Sequence, residues 1–158
     1  MKQYIQPFIV VCKNVFKEFI GMDLEARVPF FLERGDQTDW DISGVIGFTG
    51  EARGAVVISM KKKMALKITS AITGKVHKTV DDDVVDAVGE LINIIAGNVK
   101  QGLEDAFRLV ISLPTIIRGR DHTFVWPDSK ARVICIPFTV SEEDSFTLSI
   151  ALEAVKVL

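Results

Sequence analysis

Between Asp83 and Ala106 the apolar residues Val84, Val88, Ile92, Ile95, Val99 and Ala106 recur at helical spacing, and projection at about 100° per residue gathers them on one side. A helix this long with one apolar face has to bury it against another layer. The rest of the chain predicts a sheet to receive it. Pro7, Phe8, Val11, Val15, Phe16 and Phe19 predict an opening helix over about 5–20, stopped by Gly21. Residues 27–33 predict a strand, and 41–49 with 53–60 predict an antiparallel pair joined through Thr49-Gly50-Glu51-Ala52. Lys61-Lys62-Lys63 leads into a helix to about Thr73, closed by Gly74, and Asp81-Asp82-Asp83 opens the long helix, which should end near Val110. Pro114 bars its continuation. Residues 115–119, 132–140 and 145–157 extend, the last two around the polar turn Ser141-Glu142-Glu143-Asp144.

This order is not a strict βαβ alternation, so the expected class is α+β with an antiparallel-rich sheet. A helix followed by three extended segments occurs twice, from residue 5 and again from residue 83, which points to an internal duplication. The 158 residues fit one domain, 1–158, with no linker or low-complexity tract.

Composition narrows the function classes. Nineteen basic against 21 acidic residues give no basic face for nucleic acid. Cys12 and Cys135 lie far apart in apolar runs without a Cys or His neighbour, so neither a zinc site nor a disulfide framework is expected, and a reducing cytoplasm fits. No stretch approaches 18 apolar residues, which predicts a soluble chain. His77 and His122 sit among polar residues without ligand spacing and read as solvated surface. The run Asp81 to Asp83 reads as helix capping rather than cation binding, since contiguous carboxylates diverge. Lys61 to Lys63 read as a wet helix start that could also steer an acidic partner. Met60, Met64 and the strand aromatics read as core, and Trp126 beside Pro127 as an exposed loop contact.

Opposite the apolar face of the long helix, Asp86, Glu90, Asn93, Gly97, Lys100 and Glu104 recur at steps of four and three, forming a polar ridge. The wet side of any amphipathic helix accounts for Asp86, Lys100 and Glu104. It does not account for Gly89, Gly97 and Gly102, each of which costs a helix about 0.8–1 kcal/mol relative to alanine. Gly97, one turn beyond Asn93, would let another protein's surface approach the backbone, whereas Gly89 and Gly102 lie nearer the margins and permit close packing of another helix. Asn93 is a mediocre helix former with no cap to make. The ridge reads as a docking face.

The pattern Asp86-x3-Glu90-x2-Asn93, followed by Pro114, resembles the signature of the CheC/CheX/FliY group of chemotaxis phosphatases. The likeness extends to VIGFTGEARGAVVISM before the helix and to LPTIIRGRD and FTVSEEDSFTLSIAL after it. The first helix carries no Glu-x-x-Asn, which favours one site per chain and the CheX branch. The resemblance implies a CheC-like fold with two long helices on one face of the sheet, working as a homodimer. It further implies hydrolysis of the aspartyl phosphate of a CheY-type response regulator. The receiver would bring the phosphoaspartate, its Mg²⁺ and a lysine, and this chain would bring no cofactor or metal of its own. Asn93 would then orient the attacking water and Glu90 would pair with the receiver's lysine. Asp86, Gly97 and Lys100 are left for partner contact, Asp86 at the rim and Gly97 by clearing space. A non-catalytic adaptor that binds a receiver or motor component through the same ridge is the alternative. A small-molecule phosphatase is disfavoured because the sequence holds no metal cluster, phosphate loop or activated cysteine.

Overall fold

The computed structural model describes residues 2–33, 39–122, 126 and 132–155. Among these residues, three α-helices and eight strands follow in the order α1 (Lys2–Val15), β1 (Glu25–Ala26), β2 (Phe30–Phe31), β3 (Trp40–Gly50), β4 (Ala52–Met60), α2 (Lys62–Thr73), α3 (Asp82–Gly102), β5 (Leu109–Ile111), β6 (Thr115–His122), β7 (Ile134–Thr139) and β8 (Ser145–Ala154). The class is the expected α+β. A π-helical turn, Phe16–Ile20, continues α1 and ends at Gly21, whose φ of 75° is the left-handed stop that glycine adopts without strain.

All strand pairs are antiparallel and form one sheet ordered β1-β7-β8-β4-β3-β5, with β2 also on β7 and β6 also on β3. The topology repeats itself. Each half is a helix followed by four strands, two of them short in the first half, rather than the three expected: α1 with β1–β4, then α3 with β5–β8. In each half the last two strands form a hairpin, and the two hairpins meet through β4 and β8. The leading strands are exchanged, so β1 and β2 pair with β7 of the second half while β5 and β6 pair with β3 of the first.

Two expectations are corrected. The strand predicted over 27–33 is two short pairings, Glu25–Ala26 and Phe30–Phe31, on either side of Pro29, which has no N–H to give a ladder. The long helix ends at Gly102 rather than near Val110. Gly102 is a weak helix former, and a tighter turn follows in which the Ala106 and Phe107 N–H groups both donate to Leu103 O. Phe107 then turns its ring to Tyr4 of α1, with centroids 5.1 Å apart, and Ala106 lies exposed rather than on the buried face.

Alternation along the strands decides what the helices cover. Ile42, Ile46 and Phe48 of β3, Val56, Ile58 and Met60 of β4, and Phe146 and Leu148 of β8 lie buried under the helices with Val84, Val88, Ile92, Ile95 and Val99 of α3. Phe16 stacks on Phe146 at 4.8 Å and Phe146 on Phe138 at 5.1 Å, fixing the end of α1 to the sheet. The strand aromatics are not all core, since Phe30 and Phe31 on the edge are exposed and Phe31 carries the Arg132 guanidinium 4.5 Å above its ring. Trp126 is half-buried against Val133, Cys135 and Ala151, so it covers part of the sheet instead of projecting as a free loop contact. Cys12 and Cys135, in α1 and β7, form no bridge, and burial pushes the Cys12 thiol far above its ordinary range.

Salt bridges tie α2 to the β7–β8 turn. Asp144, with a side chain only 8 % exposed, accepts from Lys67 Nζ at 2.6 Å and from Ser141 Oγ at 3.1 Å, and Lys67, ahead of Ser141, holds its carboxyl below the usual range. Lys63 Nζ reaches Glu143 at 2.7 Å, and the Lys62 N–H donates to Asp41 Oδ2 at 2.7 Å. The lysine run is thus a helix start anchored to β3 and to the far hairpin, with all three lysines exposed. No helix among the described residues is long and apolar enough to cross a membrane.

Candidate functional site

Helix α3 is positioned from its first residue. Asp81 caps it, Oδ1 accepting the Val84 N–H at 3.0 Å, and that bond followed by the His77 imidazole holds the Asp81 carboxyl below its ordinary range. His77 corrects the expectation of a solvated histidine. Its side chain is only 4 % exposed, with Nε2 2.9 Å from Thr73 Oγ1 and Nδ1 3.3 Å from Asp81 Oδ2, so it links the end of α2 to the start of α3. The loop is polar in sequence, but the two helix ends converge on the ring. His122 is half-buried rather than solvated, with Nε2 2.8 Å from Ser43 Oγ and Nδ1 2.9 Å from Gly119 O.

His77, Asp81 and Asp83 place ligand-type atoms within 4.8 Å of one another. Asp81 is already committed to the cap and to His77, and Asp81 and Asp83 sit about 15–18 Å along the axis from Asn93 at about 1.5 Å per residue. The capping role expected of Asp81 is therefore the observed one, and the trio stands apart from the ridge.

The ridge itself faces outward. Asp86, Glu90 and Asn93 are exposed, and Gly97 and Lys100 are partly exposed, while Leu91, Ile92, Ile95 and Ala96 between them are buried. Glu90 and Asn93 are one turn apart on the same surface, with Cβ atoms about 5–6 Å from each other. A carboxylate and a carboxamide are thus presented side by side on a rigid helix, a better mount for a positioned group than a loop. Glu104 lies beyond the end of α3, in the turn that follows.

The three helix glycines separate by what surrounds them. A Cβ at Gly97 would meet nothing within 4 Å, so nothing in the fold requires its bareness. A Cβ at Gly102 would touch Pro7 of α1 at 3.6 Å, the helix packing expected there. Gly89 faces Ile116 of strand β6 at 3.6 Å instead of another helix. Sequence reasoning missed the strand-side counterpart of this contact, Gly44 of β3, although a glycine inside an apolar strand is a visible signal of close approach.

The site is seen on a fold with known relatives. The family model described as chemotaxis phosphatase CheX matches residues 42–139, from β3 through α3 to the end of β7. A CheY-P phosphatase CheX of Thermotoga maritima is 32 % identical over 112 residues, 70 % of this chain and 70 % of that one. The chemotaxis protein CheX of Vibrio vulnificus superposes with a TM-score of 0.86 at 27 % identity, over 96 % of this chain and 99 % of that one. The CheX of Borrelia burgdorferi, crystallised in a complex with CheY, BeF3 and Mg²⁺, shares the fold with a TM-score of 0.81 at 23 % identity, over 95 % of this chain and 97 % of that one. The Glu90–Asn93 helix lies inside the matched span, and the chain belongs to the CheX family of chemotaxis phosphatases.

Proposed function

We propose that this protein hydrolyses the aspartyl phosphate of a CheY-type response regulator, with Asn93 ordering the attacking water and Glu90 engaging the receiver's lysine. The observation that carries the reading is the exposed Glu90–Asn93 pair on the outward face of a helix whose other face is buried, within the matched family span. The named activity of the Thermotoga maritima relative supports it. Water attacks phosphorus in line, the bond to the aspartyl oxygen breaks, and the receiver's carboxylate and inorganic phosphate are released with the water's proton passing to phosphate or solvent. The receiver brings the acyl phosphate, Mg²⁺ and lysine, so this chain has only to engage and position. The Asn93 carboxamide oxygen can accept a hydrogen bond from water without bringing a negative charge toward the phosphoryl oxygens. A carboxylate there would repel them, and one turn away Glu90 instead meets a cation. The test is loss of phosphate from a phosphorylated receiver with Asn93→Ala and Glu90→Ala; turnover equal to wild type in both would reject the roles.

Asp86, Gly97 and Lys100 complete the proposed footprint. Gly97→Ala should raise stability by up to about 1 kcal/mol, because the helix gains alanine's propensity and the new Cβ meets nothing. The same change should weaken receiver affinity, since the partner's surface descends where Gly97 is bare. Thermal unfolding and receiver titration read the two effects, and a stabilised variant with unchanged affinity would remove Gly97 from the footprint. Assembly as a homodimer is part of the proposal, supported by exposed Val110, Leu113 and Ile117 along the β5–β6 edge. A solution mass of one 17.5 kDa chain would refute it. The unbridged, buried Cys12 is compatible with work in the cytoplasm.

A further inference from the structure

We infer that Gly44, on β3 and remote from the partner's surface, is a positioning residue that sets the height of the Glu90–Asn93 turn above the sheet. The inference rests on the site reading given under Proposed function. Gly44 is buried in the middle of a strand, and its φ lies outside the left-handed region, so its conformation does not call for glycine. Space does. Its cross-strand partners are Ile58 of β4 and Ile116 of β6, and Ile92 of α3 comes down between them. A Cβ built on Gly44 would stand 3.1 Å from Ile92 Cγ2, 3.3 Å from Ile116 Cδ1 and 3.4 Å from Ile58 Cγ2. The first two are too close for ordinary carbon contacts, so a neighbour would have to give.

Leu91 and Ile92 are the two buried side chains between Glu90 and Asn93, and Ile92 is the one over Gly44, so whatever raises it raises the turn that carries both. Ile116 fixes the same turn from the side, packing against bare Gly89 with Cδ1 3.6 Å and Cγ1 3.7 Å from where a Cβ would be. The turn thus rests on two points, Ile92 over Gly44 and Gly89 against Ile116. In-line attack tolerates little displacement of the group that holds the water, because positioned groups work within about 0.5 Å of their productive geometry.

The discriminating experiment measures kcat and KM for phosphate loss from a phosphorylated receiver with Gly44→Ala, Gly44→Ala/Ile116→Val and Gly47→Ala, using circular dichroism to confirm folding. Gly47 lies on the same strand, and a Cβ there meets Ser112 Oγ at an ordinary 3.6 Å, so Gly47→Ala should behave as wild type. Folded Gly44→Ala should lose about tenfold in kcat with a smaller change in KM, because a displacement of under about 1 Å costs the in-line placement of the water more than it costs the pairing of the long, flexible Glu90 side chain with a lysine. Ile116→Val removes only the Cδ1 at 3.3 Å and leaves Ile92 Cγ2 at 3.1 Å, so kcat should stay low in the double variant. Wild-type kcat in folded Gly44→Ala, or full recovery of kcat in the double variant, which would place the effect on Ile116 rather than on Ile92, overturns the inference. If Gly44→Ala fails to fold, Ile92→Ala removes the Cγ2 that rests over Gly44, takes away the same seat from above and carries the same expectation, with wild-type kcat again overturning it. Asn93→Ala measured alongside keeps the two readings apart. Wild-type turnover in that variant sinks the site assignment, whereas its loss combined with wild-type kcat in Gly44→Ala sinks the seat alone.

Discussion

Asn93→Ala is expected to slow phosphate release from the phosphorylated receiver by about 10² or more, the scale seen when one positioned hydrogen-bonding group is removed from a reacting centre. The fold should not notice. Asn93 is exposed and has no capping duty in mid-helix, and alanine has the higher helix propensity, so unfolding should occur at or slightly above the wild-type temperature. Binding should also persist, since Glu90 and the rest of the ridge remain. Glu90→Ala should show the opposite division, with weaker engagement and the larger change in KM, because its proposed partner is a lysine rather than the water. Phosphate release at saturating receiver, followed in a single mixing experiment, separates the two. If Asn93→Ala binds the receiver and the wild type itself releases no phosphate beyond the receiver's own rate, the ridge is an adaptor surface and the catalytic reading fails.

Gly54→Ala should be the most damaging small substitution in the sheet. Gly54 has a φ of 155°, and a Cβ there would lie 1.8 Å from Ala151 O, 2.7 Å from Ala151 C and 3.1 Å from Leu152 Cα. Those are backbone atoms of β8, which cannot swing aside as a side chain tip can. The clash falls on the β4–β8 ladder, where Gly54 pairs with Leu152 and Ala55 with Ala151, so relieving it parts the two halves where their hairpins meet. A loss on the order of 4 kcal/mol or more is expected, large enough for the variant to be substantially unfolded at ambient temperature. Denaturant unfolding compared with wild type checks it, and a midpoint within error of wild type would mean that the strands yield there at little cost. Gly54→Ala and Gly97→Ala, the same chemical change, should therefore move stability in opposite directions.

The ridge was legible in sequence because both of its determinants are local. Helical periodicity separates Ile92 and Ile95 from Glu90 and Asn93 without reference to the rest of the chain, and the structure buries the first pair and exposes the second. The hairpin β3–β4 was legible for the same reason, through alternation and a glycine turn. What could not be read depends on residues distant in sequence. The end of α3 is set partly by Phe107 finding Tyr4, and His77 is buried because the ends of α2 and α3 meet around it. Gly44 acquires its meaning from Ile58, Ile92 and Ile116, three side chains on three other elements. The long strand expected at 27–33 failed for a local reason that was visible, since Pro29 cannot donate to a ladder.

The exchange of leading strands has a consequence for synthesis. Glu25 pairs with Thr139 and Phe30 with Cys135, so the opening strands wait for more than a hundred further residues to leave the ribosome before they find their ladder. Neither half can finish its own sheet, and the nascent amino-terminal portion emerges with β3 lacking β5 and β6 along its outer edge. Closure must come late and nearly all at once, a pattern of distant pairings that slows acquisition of the native state and welds both halves into one cooperative unit.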